Sequence, residues 1–144
     1  MQDIISKYLS DNVKITKIAD HSAAGTGTVT SDELDMAGFD SVIFLTSVGT
    51  AAADNVLTLH ESLASAGEAA SAALLASDAA STEDLVLDVF WNPAYRYAKA
   101  VVTRGTSSTC ESIWAIQYNA RTKSQDNSTV GTIALAQFDT PALA

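Results

Sequence analysis

Asp35 to Thr50, Asp-Met-Ala-Gly-Phe-Asp-Ser-Val-Ile-Phe-Leu-Thr-Ser-Val-Gly-Thr, is the stretch whose reading decides the fold. Ala37-Gly38 is a turn signal. Val42, Ile43, Phe44 and Leu45 then follow one another without a polar interruption, and Val48 closes the run before Gly49. β-Branched and aromatic residues suit the pleated surface of a sheet. A short run that is apolar on both faces and bounded by glycines predicts a strand buried between two layers.

Toward the N-terminus, Val13, Ile15 and Ile18 alternate loosely with Lys14 and Lys17, a strand with one wet face. Gly25-Thr26-Gly27 punctuates the chain and Thr28-Val29-Thr30 makes a short strand. Ser31-Asp32-Glu33 then turns into Leu34-Asp35-Met36. Toward the C-terminus, Asn55 to Leu63 places Leu57, Leu59 and Leu63 on one face and Val56, Thr58, His60 and Ser62 on the other. Leu85, Leu87, Val89 and Trp91 share a face until Asn92-Pro93 stops the strand. Tyr97 to Arg104 alternates through Val101-Val102, Gly105-Thr-Ser-Ser turns the chain, and Cys110 to Asn119 supplies Ile113, Trp114, Ile116 and Tyr118. No helix long enough for a crossover separates these seven or eight strands. That pattern argues against a parallel sheet and for an all-β, antiparallel sandwich of the jelly-roll kind.

The flanks and one insert read differently. In residues 1–12, Ile4 and Tyr8, and Ile5 and Leu9, lie one helical turn apart, which predicts a short amphipathic helical arm. So short a helix needs something to pack against. Residues 13–123 form the sandwich domain. Within it, 64–82 is an alanine-rich insert expected to be a loop with one helical turn near Ala72 to Leu75. Residues 124–144 read as an extended arm, polar at first and then weakly apolar through Ile133, Leu135 and Phe138.

At 144 residues the chain is one domain long. It has no run of about 18 consecutive apolar residues to span a bilayer as a helix. The N-terminal stretch lacks a basic region followed by a long apolar one, so no signal peptide is expected. The single cysteine, Cys110, excludes an intrachain disulfide and fits folding in a reducing cytoplasm. Net charge is −9, unevenly spread: between Lys17 and Arg96 there is no Lys or Arg, whereas Arg96, Lys99, Arg104, Arg121 and Lys123 then cluster. Nucleic acid binding needs a dominant positive patch, so the acidic balance argues against it. The asymmetry reads as solubility and ordinary ion pairing, or as a surface that docks head-to-tail or onto an oppositely charged partner.

Chemistry-bearing patterns are few. His21, His60 and Cys110 are far apart in sequence, and zinc demands three or four ligands. Asp32, Glu33 and Asp35 lack the spacing of a calcium loop. No Gly-x-Ser-x-Gly elbow occurs, and Glu111 beside Cys110 raises a thiol pKa. Gly25-Thr26-Gly27 lacks the third glycine and the helix of a phosphate cradle. No catalytic, metal or cofactor site is therefore predicted. Aromatics cluster at Phe90, Trp91, Tyr95 and Tyr97, readable as a carbohydrate-stacking platform, as an interface hot spot, or as rings capping the core.

Several segments together resemble small virion proteins of tailed bacteriophages: Lys14 to Asp20, Ala23 to Ser31, Asp35 to Thr50, Leu85 to Pro93, Tyr95 to Gly105 and Ile113 to Arg121. Arg-Tyr-Ala-Lys-Ala-Val-Val-Thr-Arg-Gly-Thr and Ile-Trp-Ala-Ile-Gln-Tyr-Asn-Ala-Arg are the most distinctive. The likeness covers most of residues 13 to 123, while the alanine-rich insert and the N-terminal arm depart from it. Among such proteins are capsid decoration or cement proteins, β-sandwich trimers that clamp neighbouring capsomers. The resemblance implies a structural protein made in the host cytoplasm and carried on the capsid surface, with the major capsid protein as partner, a trimeric state and no enzymatic activity. It leaves open a head–tail junction, tail or fibre position. Ile4, Ile5, Tyr8 and Leu9 of one arm, with Ile133, Leu135 and Phe138 of the other, are the expected intermolecular contacts.

Overall fold

The computed structural model describes residues 8–63, 74–76, 82–121 and 134–136. Among them are eleven strands: β1 Lys14–Ala19, β2 Ser22–Gly25, β3 Val29–Thr30, β4 Leu34–Asp35, β5 Phe39–Ala52, β6 Val56–Ser62, β7 Leu74–Ala76, β8 Thr82–Phe90, β9 Tyr97–Thr103, β10 Ser108–Cys110 and β11 Ile113–Ala120. Every pairing is antiparallel. One sheet runs β1-β11-β5-β10-β2 with β8 on the other edge of β5; the second runs β3-β9-β6-β7 with β4 also on β9. The chain is an all-β sandwich of two antiparallel sheets.

β5 is the longest strand, and it is wet on one side. Gly38 turns the chain into it with φ +90°, a backbone region open to glycine. Val42, Phe44 and Val48 are buried, while Ile43 and Leu45 between them are only half-buried. The strand was expected to be covered on both faces; instead one face meets the core and the other forms part of the outer surface of the first sheet. Inward, Phe44 sits opposite Leu87 on one side and Ala115 on the other. Leu57, Leu59, Ala98, Ala100 and Val102 come from the second sheet. Alanines interleave with bulky residues here, which lets the two layers approach.

Side chains fill gaps where the ladders break. β3 and β4 share one edge of β9, and Ser31 bridges them: its amide donates to the Ala100 carbonyl at 2.8 Å, and its hydroxyl accepts from the Ala100 amide at 2.9 Å. β10 and β11 were expected as a single strand from Cys110 to Asn119. They are separated at Glu111–Ser112, where the Glu111 amide donates to the Ser47 carbonyl and the Thr46 hydroxyl donates to the Glu111 carbonyl. β2, unforeseen from sequence, extends the sheet beyond this break by pairing β10.

Other expectations shift in detail. Leu74–Ala76, expected as part of a helical turn, is a strand on β6. The remainder of the insert lies outside the described residues. Leu63 is 67% exposed, and Glu61 takes the buried position that follows Leu57 and Leu59. The described part of the N-terminal arm holds a 3₁₀ turn, Leu9–Asp11; Ile4 and Ile5, on which the expected helical turns also rest, lie outside the described residues.

Asn55 fastens the turn after β5. Fully buried, it donates from its amide nitrogen to the Thr50 carbonyl at 2.9 Å, and its amide oxygen accepts from the Gly105 amide at 2.8 Å. At Gly105 a Cβ would come within 2.8 Å of the Asp54 Cβ and 3.0 Å of its carbonyl carbon, so only glycine allows this approach. Asn55→Ala leaves two buried backbone groups without these partners. It is expected to destabilise the fold by about 1–3 kcal/mol, measured as a lower denaturant midpoint at unchanged slope.

Candidate functional site on the outer face of the first sheet

The outer face is built by strand alternation. Side chains of β5 that do not enter the core align with their neighbours in rows. In one row Ile15 of β1, Ile116 of β11, Ile43 of β5 and Asp88 of β8 stand side by side; in the next stand Lys17, Trp114, Leu45 and Val86. A third holds Tyr118, Ser41 and Phe90. Val86 is 56% exposed and Phe90 80% exposed. Antiparallel sheets that cover a core on one side usually present polar residues on the other. Here the centre of that outer side is aliphatic and aromatic, the kind of contiguous surface that marks an interaction site.

Two depressions lie on this face. The first, of about 390 Å³, is lined by Tyr8, Leu9, Ser10, Val13, Ile15, Ile116, Leu135 and Ala136. It joins the N-terminal turn, the outer side of β1 and β11, and a short C-terminal stretch. The second, of about 460 Å³, is lined by Leu45, Thr46, Ser47, Asp84, Val86, Glu111, Ser112 and Trp114. Leu45, Val86 and Trp114 supply its apolar lining, and its carboxylates, Asp84 and Glu111, disfavour anions. His21 Nδ1 lies 3.4 Å from a Glu111 oxygen on its rim.

Of the expected contact residues, Tyr8, Leu9 and Leu135 line the first depression together. Ile4, Ile5, Ile133 and Phe138 lie outside the described residues. The outer face that joins Tyr8, Leu9 and Leu135 was missed in sequence; its signal is the alternation of Ile43 and Leu45 on β5, read as part of a strand buried on both faces, and of Trp114 and Ile116 on β11.

The basic cluster is largely engaged in holding loops. Arg96 makes two hydrogen bonds to the Asp35 carboxylate, at 3.1 and 3.0 Å, and Arg121 bonds Asp40 Oδ1 at 3.1 and 2.9 Å. Arg104 donates to the carbonyls of Ala23, Gly27 and Ser108. The Arg96 guanidinium holds the Asp35 carboxyl below the usual carboxylate range. Asp35 and Asp40 from the interval without Lys or Arg thus meet Arg96 and Arg121 from the basic cluster across strands, as ordinary ion pairs. Such exposed pairs contribute little individually.

The aromatic cluster is divided between core and surface. Trp91 is only 4% exposed and its ring nitrogen donates to the Tyr95 carbonyl. Trp91 and Tyr95 pack on the core, Phe90 is exposed, and the Arg96 guanidinium lies 5.3 Å from the centroid of the Tyr97 ring.

Among the described residues no group of three His, Cys, Asp or Glu is placed to hold a metal ion, and no helix is long and apolar enough to cross a membrane. Fold and site together define an antiparallel β-sandwich with an apolar outer sheet face. No family model, curated protein or solved structure matches the chain.

Two titratable groups report on packing. Cys110 is fully buried, its thiol pushed up by burial and placed 3.9 Å from the Thr46 hydroxyl. Iodoacetamide should therefore label it only as the protein unfolds, with labelling rates that track the denaturation curve. Glu61 is buried and its carboxyl is likewise raised by burial. A carboxyl that is more basic folded than unfolded costs stability when ionised, and the cost is recovered as pH falls through the raised folded pKa. Glu61→Gln is expected to raise Tm at neutral pH and to lose that advantage in mild acid, as measured by calorimetry.

Proposed function

We propose that this chain is a structural virion protein that binds the outside of a bacteriophage capsid and stabilises it. The observation that carries the reading is the meeting of both terminal segments on one apolar sheet face: Tyr8 and Leu9 from one end and Leu135 from the other border the same depression beside Ile15 and Ile116. A protein whose task is attachment needs an adhesive face and arms that reach neighbours, rather than a catalytic constellation.

The strand order supports the same reading. Counting β1 with β2, β3 with β4, and β10 with β11 as single interrupted strands leaves eight, in the orders 1-8-3-6 and 2-7-4-5. We read this order as a jelly roll, an architecture used by viral capsid and lectin domains. A fold alone does not assign a task; the resemblance of residues 13–123 to small tailed-phage virion proteins supplies the direction. The acidic balance favours the outer surface of a shell over its packaged DNA.

Purified protein mixed with expanded empty capsids is expected to co-sediment with them in many copies per shell and to raise their melting temperature. Deleting 124–144 should abolish binding while leaving the sandwich folded by circular dichroism. A chain that ignores shells, or a truncation that binds as well as the whole, would overturn the proposal. A few copies per particle, confined to one vertex or the tail, would instead place it at a head–tail junction, tail or fibre.

A further inference from the structure

We infer that the hollow at the Glu111–Ser112 break receives an arginine side chain presented by the shell protein. The identity of that partner rests on the virion reading; what is added is the chemistry of the contact.

The hollow exists because a ladder is interrupted. β11 pairs β5 as far as Trp114 opposite Leu45, and β10 takes over at Cys110 opposite Val48. Between them the Glu111 amide donates to the Ser47 carbonyl at 2.8 Å, while Asp84 of β8 stands opposite Ser47 on the other side. Two carboxylate residues thus flank Ser47, their backbones two strand spacings, about 10 Å, apart. Leu45, Trp114 and Val86 line the hollow from the adjoining row. Its volume of about 460 Å³ falls within the roughly 300–1,000 Å³ of small-ligand sites, ample for one long side chain.

The charge of this hollow is not answered from within the chain. Other carboxylates of the body are engaged: Asp20 holds Lys17 at 2.7 Å, Asp35 holds Arg96, Asp40 holds Arg121, and Asp88 accepts from the Tyr118 hydroxyl. Asp84 has no such partner among the described residues. Glu111 meets the His21 ring through Oε2 at 3.4 Å, both side chains being about half exposed. No Lys or Arg is among the residues lining the hollow. Lys17, cross-strand from Trp114, is drawn away to Asp20. Two carboxylates beside an indole suit a cation. Arginine suits them better than lysine, because its planar guanidinium stacks on an aromatic face while its fork of donors meets carboxylates. A neutral sugar would use the indole and leave both charges unanswered.

Titration of the whole chain with N-acetyl-arginine amide, followed through the indole N–H signals by NMR, tests the hollow without any shell. The Trp114 signal should shift saturably. The Trp91 signal, whose N–H is held by the Tyr95 carbonyl, should stay put. N-acetyl-citrulline amide, similar in shape but uncharged, should bind at least about fivefold more weakly, as should arginine amide to Asp84→Asn combined with Glu111→Gln. Both carboxylates are exposed and Glu111→Gln keeps an acceptor for His21, so Tm should not change. Co-sedimentation with expanded capsids is the second arm: the double variant should bind shells at least about fivefold more weakly than wild type, and the difference should shrink in high salt. Wild type that ignores shells yet binds arginine amide overturns the virion reading alone. No saturable shift at Trp114, citrulline binding equal to arginine, N-acetylglucosamine shifting Trp114 more strongly than arginine, or shells gripped equally by wild type and double variant would overturn the inference.

Discussion

Both edges of β5 must be paired before the rest of the first sheet can exist. β11 occupies one edge along Phe39–Leu45 and β10 continues it at Val48, while β8 occupies the other along Ser41–Ser47. β1 and β2 are attached only through β11 and β10. The partners of β5 come from the far half of the chain, so loops must close before these contacts form. Such non-local pairing makes for slow folding. Phe44, fully buried at the middle of β5, shares one core with Leu57, Leu59, Ala98, Ala100 and Val102 of the second sheet.

Much of this was legible in the residues themselves. Leu57 and Leu59, and Leu85, Val89 and Trp91, announce their buried faces by period two, and the structure keeps them there. Where the pattern failed, an interaction with no local signature intervened. The break at Glu111–Ser112 depends on Thr46, 65 residues away in sequence. The continuity between β3 and β4 depends on the hydroxyl of Ser31 reaching Ala100. Ala72 to Leu75 looks helical by composition, yet Leu74 and Leu75 are held by pairing to Leu59 and Thr58, and tertiary context overrides propensity.

The candidate site was the least legible part, for a physical reason. An apolar residue facing outward for association is chemically identical to one facing inward for packing. Ile43 and Phe44 look alike in sequence and differ only by which side of the pleat they occupy. Tyr8, Leu9 and Leu135 were recognisable as apolar residues in polar surroundings, but their meeting place on β1 and β11 depends on the chain's return. The charge asymmetry was plain in sequence, and its resolution into Arg96–Asp35 and Arg121–Asp40 pairs required the strands to be laid side by side.

The first and last long strands, β1 and β11, are neighbours, with Lys14 opposite Gln117. β1 therefore begins, and β11 ends, at the same end of one antiparallel pair. A load applied through both ends would not shear that pair along its length. It would peel β1 from β11 one ladder bond after another, the direction in which a sheet resists least. A molecule anchored by one end alone transmits force through the body to whatever its sheet face grips, and so is mechanically sturdier than one pulled by both.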